Sequence, residues 1–127
     1  TVYVQLFQTQ MFNLGTPYTA VAAPGAGQAY LVLNMVYNYQ FATNPYTGGG
    51  IVYPYIGSIS YTSGVPTSST LGSVSAMGTL TGQSNNLAVS GQINLPITIQ
   101  TSTGSPFTGA GKGALYLWIE YVQIAVS

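Results

Sequence analysis

Two side chains could carry charge-based chemistry, Lys112 and Glu120, and they are the only basic and the only acidic residue among 127. Lys112 lies in Gly109-Ala110-Gly111-Lys112-Gly113, a small-residue run of the kind that cradles phosphate. A phosphate loop must feed a helix whose N-terminus meets the anion, and its Lys is followed by Ser or Thr. Here Leu115-Tyr116-Leu117-Trp118-Ile119 follows with the pattern of a strand, and no Lys-Ser or Lys-Thr pair exists. The run reads as a hairpin loop, as do Pro24-Gly25-Ala26-Gly27 and Gly48-Gly49-Gly50. Lys112 and Glu120 fall on a loop and its adjoining strand, and read as solvent-facing or interface groups rather than a site.

The residue types that are missing narrow the function further. With no His, no Cys and one carboxylate, the chain cannot form a Ser-His-Asp triad, a Cys nucleophile or a carboxylate pair. Zinc, copper and iron sites need His or Cys, and calcium needs several carboxylates, so no metal and no cofactor is expected. One Lys cannot supply a phosphate-neutralising surface, so nucleic acid is not an expected partner. The apolar runs, such as Ala29 to Leu33, fall well short of the ~18 residues of a membrane helix, so no membrane contact is expected. Thr1-Val2-Tyr3-Val4 does not open a basic-then-apolar leader, so no retained secretory signal is expected. A non-enzymatic protein is expected.

Aromatic chemistry remains. There are 11 Tyr residues, large apolar plates with a polar tip that suit interfaces. Tyr46, Tyr53, Tyr55 and Tyr61 cluster in one loop and strand and are candidates for stacking on a sugar ring. The competing reading places them on half-buried strand faces, where aromatic residues are favoured in any case.

The elements that must position these residues follow period two almost throughout, in Val, Ile, Thr and Tyr with few helix formers. Strands are predicted over Val2 to Phe12, Tyr18 to Val21, Gln28 to Phe41, Ile51 to Tyr61, Val74 to Leu80, Leu87 to Val89, Gln92 to Gln100 and Ala114 to Val126. In the third, Ala29, Leu31, Leu33, Met35, Tyr37 and Tyr39 read as the core face. Pro54 predicts an edge or a bulge, because proline cannot donate to a ladder. About eight extended segments at short, irregular spacing imply an all-β antiparallel sandwich or barrel in a single domain, 1–127. In the last strand the alternation puts Glu120 on the face of Tyr116 and Trp118.

Only 2% of the chain is charged, against about 25% in an average soluble domain, and its formal net charge is zero. A surface of Thr, Ser, Asn, Gln and Tyr without a repulsive field suits a subunit covered by copies of itself or by a larger body.

Three segments in order resemble a group of small structural proteins of tailed bacteriophages. They are Val21-Ala22-Ala23-Pro24-Gly25-Ala26-Gly27 leading into Tyr30-Leu31-Val32-Leu33, then Phe41 to Gly50, then Phe107 to Gly113 before Leu115 to Tyr121. The resemblance covers most of the chain from Thr19 onward, more loosely between Tyr61 and Gln100. It implies a jelly-roll-like β-sandwich on the virion, a decoration or cement protein on the capsid exterior, assembled in the host cytoplasm as a dimer or trimer. Related proteins carry Lys or Arg after the Pro-Gly-Ala-Gly turn and basic residues in the last strand. This chain has Gln28 there, and Leu115, Leu117 and Trp118 in the last strand. By that comparison it holds its neighbours through apolar and hydrogen-bonded contacts.

The expected function is stabilisation of a capsid lattice by bridging the major capsid protein. The candidate contact residues are Val2, Val4, Leu6 and Phe7, within an N-terminal contact strand over 1–12, and Tyr116, Trp118 and Glu120 of the last strand. The two glycine-rich loops are the second choice. Two alternatives belong to other classes: a receptor- or glycan-binding fibre or tail domain, and an extracellular filament subunit joined by donor-strand exchange.

Overall fold

A computed structural model describes residues 1–60, 62–66, 73–82 and 91–126. Tyr61 and the predicted strand Leu87 to Val89 lie outside the described residues. In chain order the elements are β1 (Val2–Leu6), α1 (Gln8–Met11), β2 (Tyr18–Val21), β3 (Gln28–Gln40), β4 (Thr47–Gly48) and β5 (Val52–Ile56). They continue as β6 (Ile59–Ser60), β7 (Ala76–Thr81), β8 (Ile97–Thr101), β9 (Phe107–Thr108) and β10 (Ala114–Ala125). The described residues thus form ten strands, more than the eight or so expected, two of them the short pair β4 and β9.

The chain is an all-β antiparallel sandwich. One sheet has the order β1-β10-β3-β7 and the other β2-β8-β5-β6. Without β4 and β9, every connection crosses from sheet to sheet except the β5–β6 hairpin, which is the jelly-roll order. Period two explains the core: β5 buries Val52, Pro54 and Ile56, β8 buries Ile97, Ile99 and Thr101, and β10 buries Leu115, Leu117 and Ile119. These meet Val4, Leu6, Met35, Tyr37 and Tyr39 between the sheets in one apolar cluster.

Five expectations are corrected. The strand expected over Gln92 to Gln100 begins only at Ile97, after a turn at 91–94. The strand expected over Val2 to Phe12 ends at Leu6, and Gln8–Met11 makes one helical turn, with the Phe7 carbonyl accepting from the Met11 amide at 2.9 Å. That turn brings Met11 and Leu14, three positions apart, into the core together, a spacing that a strand would split between its faces. The single strand expected from Ile51 onward is instead a hairpin over Val52–Ser60, because Gly57, at φ +63°, turns the chain between β5 and β6. Pro54 lies within the sheet order, facing the core and paired with Ile99, but the β5–β6 ladder stops at Tyr55 and asks no donor of Pro54 on that side.

The odd-numbered core face of β3 holds only for Met35, Tyr37 and Tyr39; Leu33 is exposed, Leu31 is half-buried, and Ala29, though buried, lies on the parity of Ile124 outside the core cluster. The register shifts at Glu120/Tyr121, where Glu120 pairs with Asn34 and Tyr121 with Val32, so that Leu33 is the extra residue of a bulge. Past it the core takes Tyr30 and Val32 instead.

Candidate assembly surface

The positions that alternate with the core on the β1-β10-β3-β7 sheet form its outer face. Val4 and Leu6 point inward and are 3% and 0% exposed, so these two predicted contact residues belong to the core and cannot meet a partner. Val2 is half-buried and packs against the same core. Tyr3 and Phe7, by contrast, are 45% and 47% exposed. On β10, Tyr116 and Trp118 are half-buried and Glu120 is exposed, on the outer parity that the sequence assigned them.

Register brings these side chains together. Tyr3 lies opposite Trp118, and their ring centroids are 4.8 Å apart. Tyr3 also runs parallel to Tyr116 at 6.2 Å, and Phe7 meets Tyr116 edge-on at 6.1 Å. Three predicted residues, Phe7, Tyr116 and Trp118, therefore join Tyr3, which was not among them, in one aromatic group drawn from two ends of the chain, with separations at which ring pairs attract. Trp118 continues across the sheet to Val36 and Thr79, and Tyr116 to Asn38 and Met77. Glu120 Oε2 accepts from Asn34 Nδ2 at 3.2 Å. Beyond it, Val122 and Ile124 extend the outer face beside Leu31 and Ala29. Seven of the nine exposed large apolar side chains among the described residues lie on or beside this face: Tyr3, Phe7, Leu33, Val36, Met77, Val122 and Ile124. Leu33 is unexpected on this face because its bulge leaves no mark in the sequence. The signal for Val122 and Ile124 was there, in the parity of Tyr116 and Trp118.

The described members of the predicted sugar-stacking cluster, Tyr46, Tyr53 and Tyr55, do not assemble into one platform. Tyr46 is 1% exposed and sits between Phe12 and Phe107, and its hydroxyl donates to the Gly113 carbonyl at 2.5 Å. Burial, with the neighbouring Tyr39 as a lesser cause, pushes the Tyr46 phenol up to about 12. Tyr53 and Tyr55 stay together, half-buried on the outer face of the second sheet, but their rings are inclined by 58° and offer no common plane. Desolvation, then Tyr53, raises the Tyr55 phenol.

The two glycine-rich loops do meet at one end of the sandwich. β4 pairs with β9, and the Thr47 and Thr108 hydroxyls are 2.9 Å apart. Gln8 Nε2 donates to the Gly111 carbonyl at 2.7 Å, tying in the helical turn. Gly49, at φ +73°, must be glycine, because a Cβ there would lie 2.6 Å from the Phe107 ring. Lys112 is exposed on this end. The buried Tyr39 hydroxyl makes no hydrogen bond to the protein.

Two shallow clefts of about 220 Å³ each flank the Asn13–Thr16 turn. They are below the usual 300–1,000 Å³ of ligand pockets, and Tyr18 is their one titratable side chain. No helix among the described residues is long and apolar enough to cross a membrane. The chain matches no family model, no curated protein and no solved structure.

Proposed function

We propose that this chain is a non-enzymatic structural protein of a virion, of the decoration type, which binds the outside of a capsid and stabilises its lattice. The observation that carries the reading is the broad apolar face of the β1-β10-β3-β7 sheet on a chain with one Lys and one Glu. Monomeric proteins rarely leave so many large apolar side chains exposed on one sheet face, and charge is what usually keeps them dispersed. The jelly-roll order agrees with the sequence resemblance to phage structural proteins, and jelly rolls recur in capsids and lectins alike. The fold alone therefore does not choose between them, and the inclined Tyr53 and Tyr55 weigh against a sugar platform.

The mechanism is mass action. A subunit that binds the assembled shell better than its separated parts shifts the equilibrium toward the shell by RT ln(1 + [L]/Kd) per site, and linked copies add avidity. The knitted loop end, which carries Lys112, is the second contact region, toward the major capsid protein. Co-sedimentation of the purified chain with undecorated capsids tests this. Saturable binding, with shells that then survive heating better, is the expected outcome, and capsids that pellet bare would overturn it.

A further inference from the structure

We infer that the outer face of the β1-β10-β3-β7 sheet is covered by a second copy of this chain. The inference rests on the reading above only in treating the chain as an assembly subunit, and it names the occupant of that face.

The first argument is area. β1, β10, β3 and β7 contribute 5, 12, 13 and 6 residues. At about 3.3 Å per residue and about 4.8 Å between strands, they make a flat footprint on the order of 600 Å². That is of the same order as the roughly 800 Å² per partner of a standard interface.

The second argument is charge. The face holds one ionised group, Glu120, whose Oε2 already accepts from Asn34, and it offers no cation. An ordinary protein surface, about a quarter charged, would bury ionised groups against it with nothing to pair them, at a cost of several kcal/mol each. A copy of this chain is 2% charged and imposes almost none of that cost. The third argument is composition: Tyr3, Tyr116 and Trp118 are held in mutual ring contact before any partner arrives. Tyr and Trp are the side chains that dominate binding at the centre of interfaces, and ordering them in advance lowers the entropy lost on association.

The test is sedimentation velocity on the full chain without capsids, from micromolar to 100 µM concentrations. The expected species is a closed multiple of 13.3 kDa. Met77→Lys and Val36→Lys, at positions 75% and 37% exposed, should each weaken association by at least about 30-fold with the melting curve retained. Thr98→Lys, on the opposite sheet, should leave association unchanged. A wild-type chain that stays at 13.3 kDa throughout, or Lys variants of this face that associate as wild type, would overturn the inference. So would a Thr98→Lys chain that dissociates as readily. Monomers that nevertheless coat capsids would sink this inference and spare the decoration reading, and oligomers that leave capsids bare would do the reverse.

Discussion

The two outer faces of the sandwich are built on the same inner plan and carry opposite chemistry. β10 hides Leu115, Leu117 and Ile119, and β8 hides Ile97, Ile99 and Thr101. On the alternate parity β10 and its neighbours present Tyr3, Trp118, Val36, Val122 and Ile124. β8 and its neighbours present Thr19, Thr98, Gln100 and Ser60 around Tyr53 and Tyr55. The first sheet thus sets exposed aromatic and aliphatic side chains among Gln5, Asn34, Asn38, Thr79 and Glu120 on its outer face, whereas the second sheet's outer face is mostly hydroxyl and amide around two tyrosines. An antiparallel sheet facing water normally keeps one polar face, as the second sheet does. The departure in the first sheet is where an assembly function is to be sought, because the fold requires nothing of that parity.

The largest effect should come from breaking the parity that both sheets share. Leu117→Ala and Ile99→Ala, each at a fully buried position, should cost about 3–5 kcal/mol and lower the melting temperature by roughly 10–20 °C. Tyr3→Ala, one strand from Leu117 but on the outer parity, should cost about 1 kcal/mol or less. Urea melts of the three variants check the contrast. Equal losses for Tyr3 and Leu117 would mean that the outer face belongs to the monomer's own core.

Next in size is the difference between the two outer faces in association. Trp118→Ala should weaken self-association by about 10- to 30-fold, since it removes the largest ring of the aromatic group and leaves Tyr3 without that partner. Tyr53→Ala and Tyr55→Ala should change it by less than about twofold. Sedimentation at matched concentrations reads both. A loss that is equal on the two sheets would erase the contrast.

A smaller effect separates the paired phenol of the loop end from its unpaired neighbour. Tyr46 has its phenol pushed up to about 12 by burial, against 10.0 in an unfolded chain. Below pH 10 both states hold the proton and the fold keeps its full stability. From there toward pH 12 the unfolded chain ionises and the folded one does not, so on the order of 2 kcal/mol is lost. Buried Tyr39, also raised by desolvation, adds in the same direction. Tyr46→Phe should cost about 1–2 kcal/mol at neutral pH by leaving the Gly113 carbonyl without its donor, and should move the alkaline unfolding midpoint upward. Tyr39→Phe, which deletes a buried hydroxyl with no protein partner, should be neutral or stabilising. Thermal melts between pH 8 and 12 distinguish the two.

How far the sequence reveals this arrangement depends on how local each cause is. The all-β class and the parity of β10 were readable, because period two is a property of neighbouring residues. Glu120 was accordingly placed with Tyr116 and Trp118. The turn at Gln8–Met11 was missed because Met11 and Leu14 are held by the tertiary core, and Gln8-Thr9-Gln10 has no strong propensity of its own. Val4 and Leu6 were assigned to a contact strand because alternation shows two faces but not which one the sandwich covers. The Leu33 bulge depends on the pairing of β3 with β10, 86 positions on from Asn34 at Glu120, and no local pattern encodes it. Tyr46 joins the sugar cluster by proximity in sequence, whereas its depth is set by Phe12 at the end of α1 and Phe107 in β9.

The smallest effects should come from salt and acid, and here a null result is the informative one. If the apolar face drives association, screening has almost nothing to act on. Raising the salt from 50 mM to 500 mM shortens the Debye length from about 14 Å to about 4 Å. It should change the association constant by less than about threefold, with any change toward tighter binding, as expected for apolar burial. Acid unfolding ordinarily works by protonating carboxylates that are paired in the native state, and this chain has a single Glu side chain and no His. The melting temperature should therefore vary by only a few degrees between pH 3 and pH 9. A steep loss of association with salt would show that Lys112 and Glu120 pair across subunits, and would shift the contact from the sheet face toward the loop end that carries Lys112.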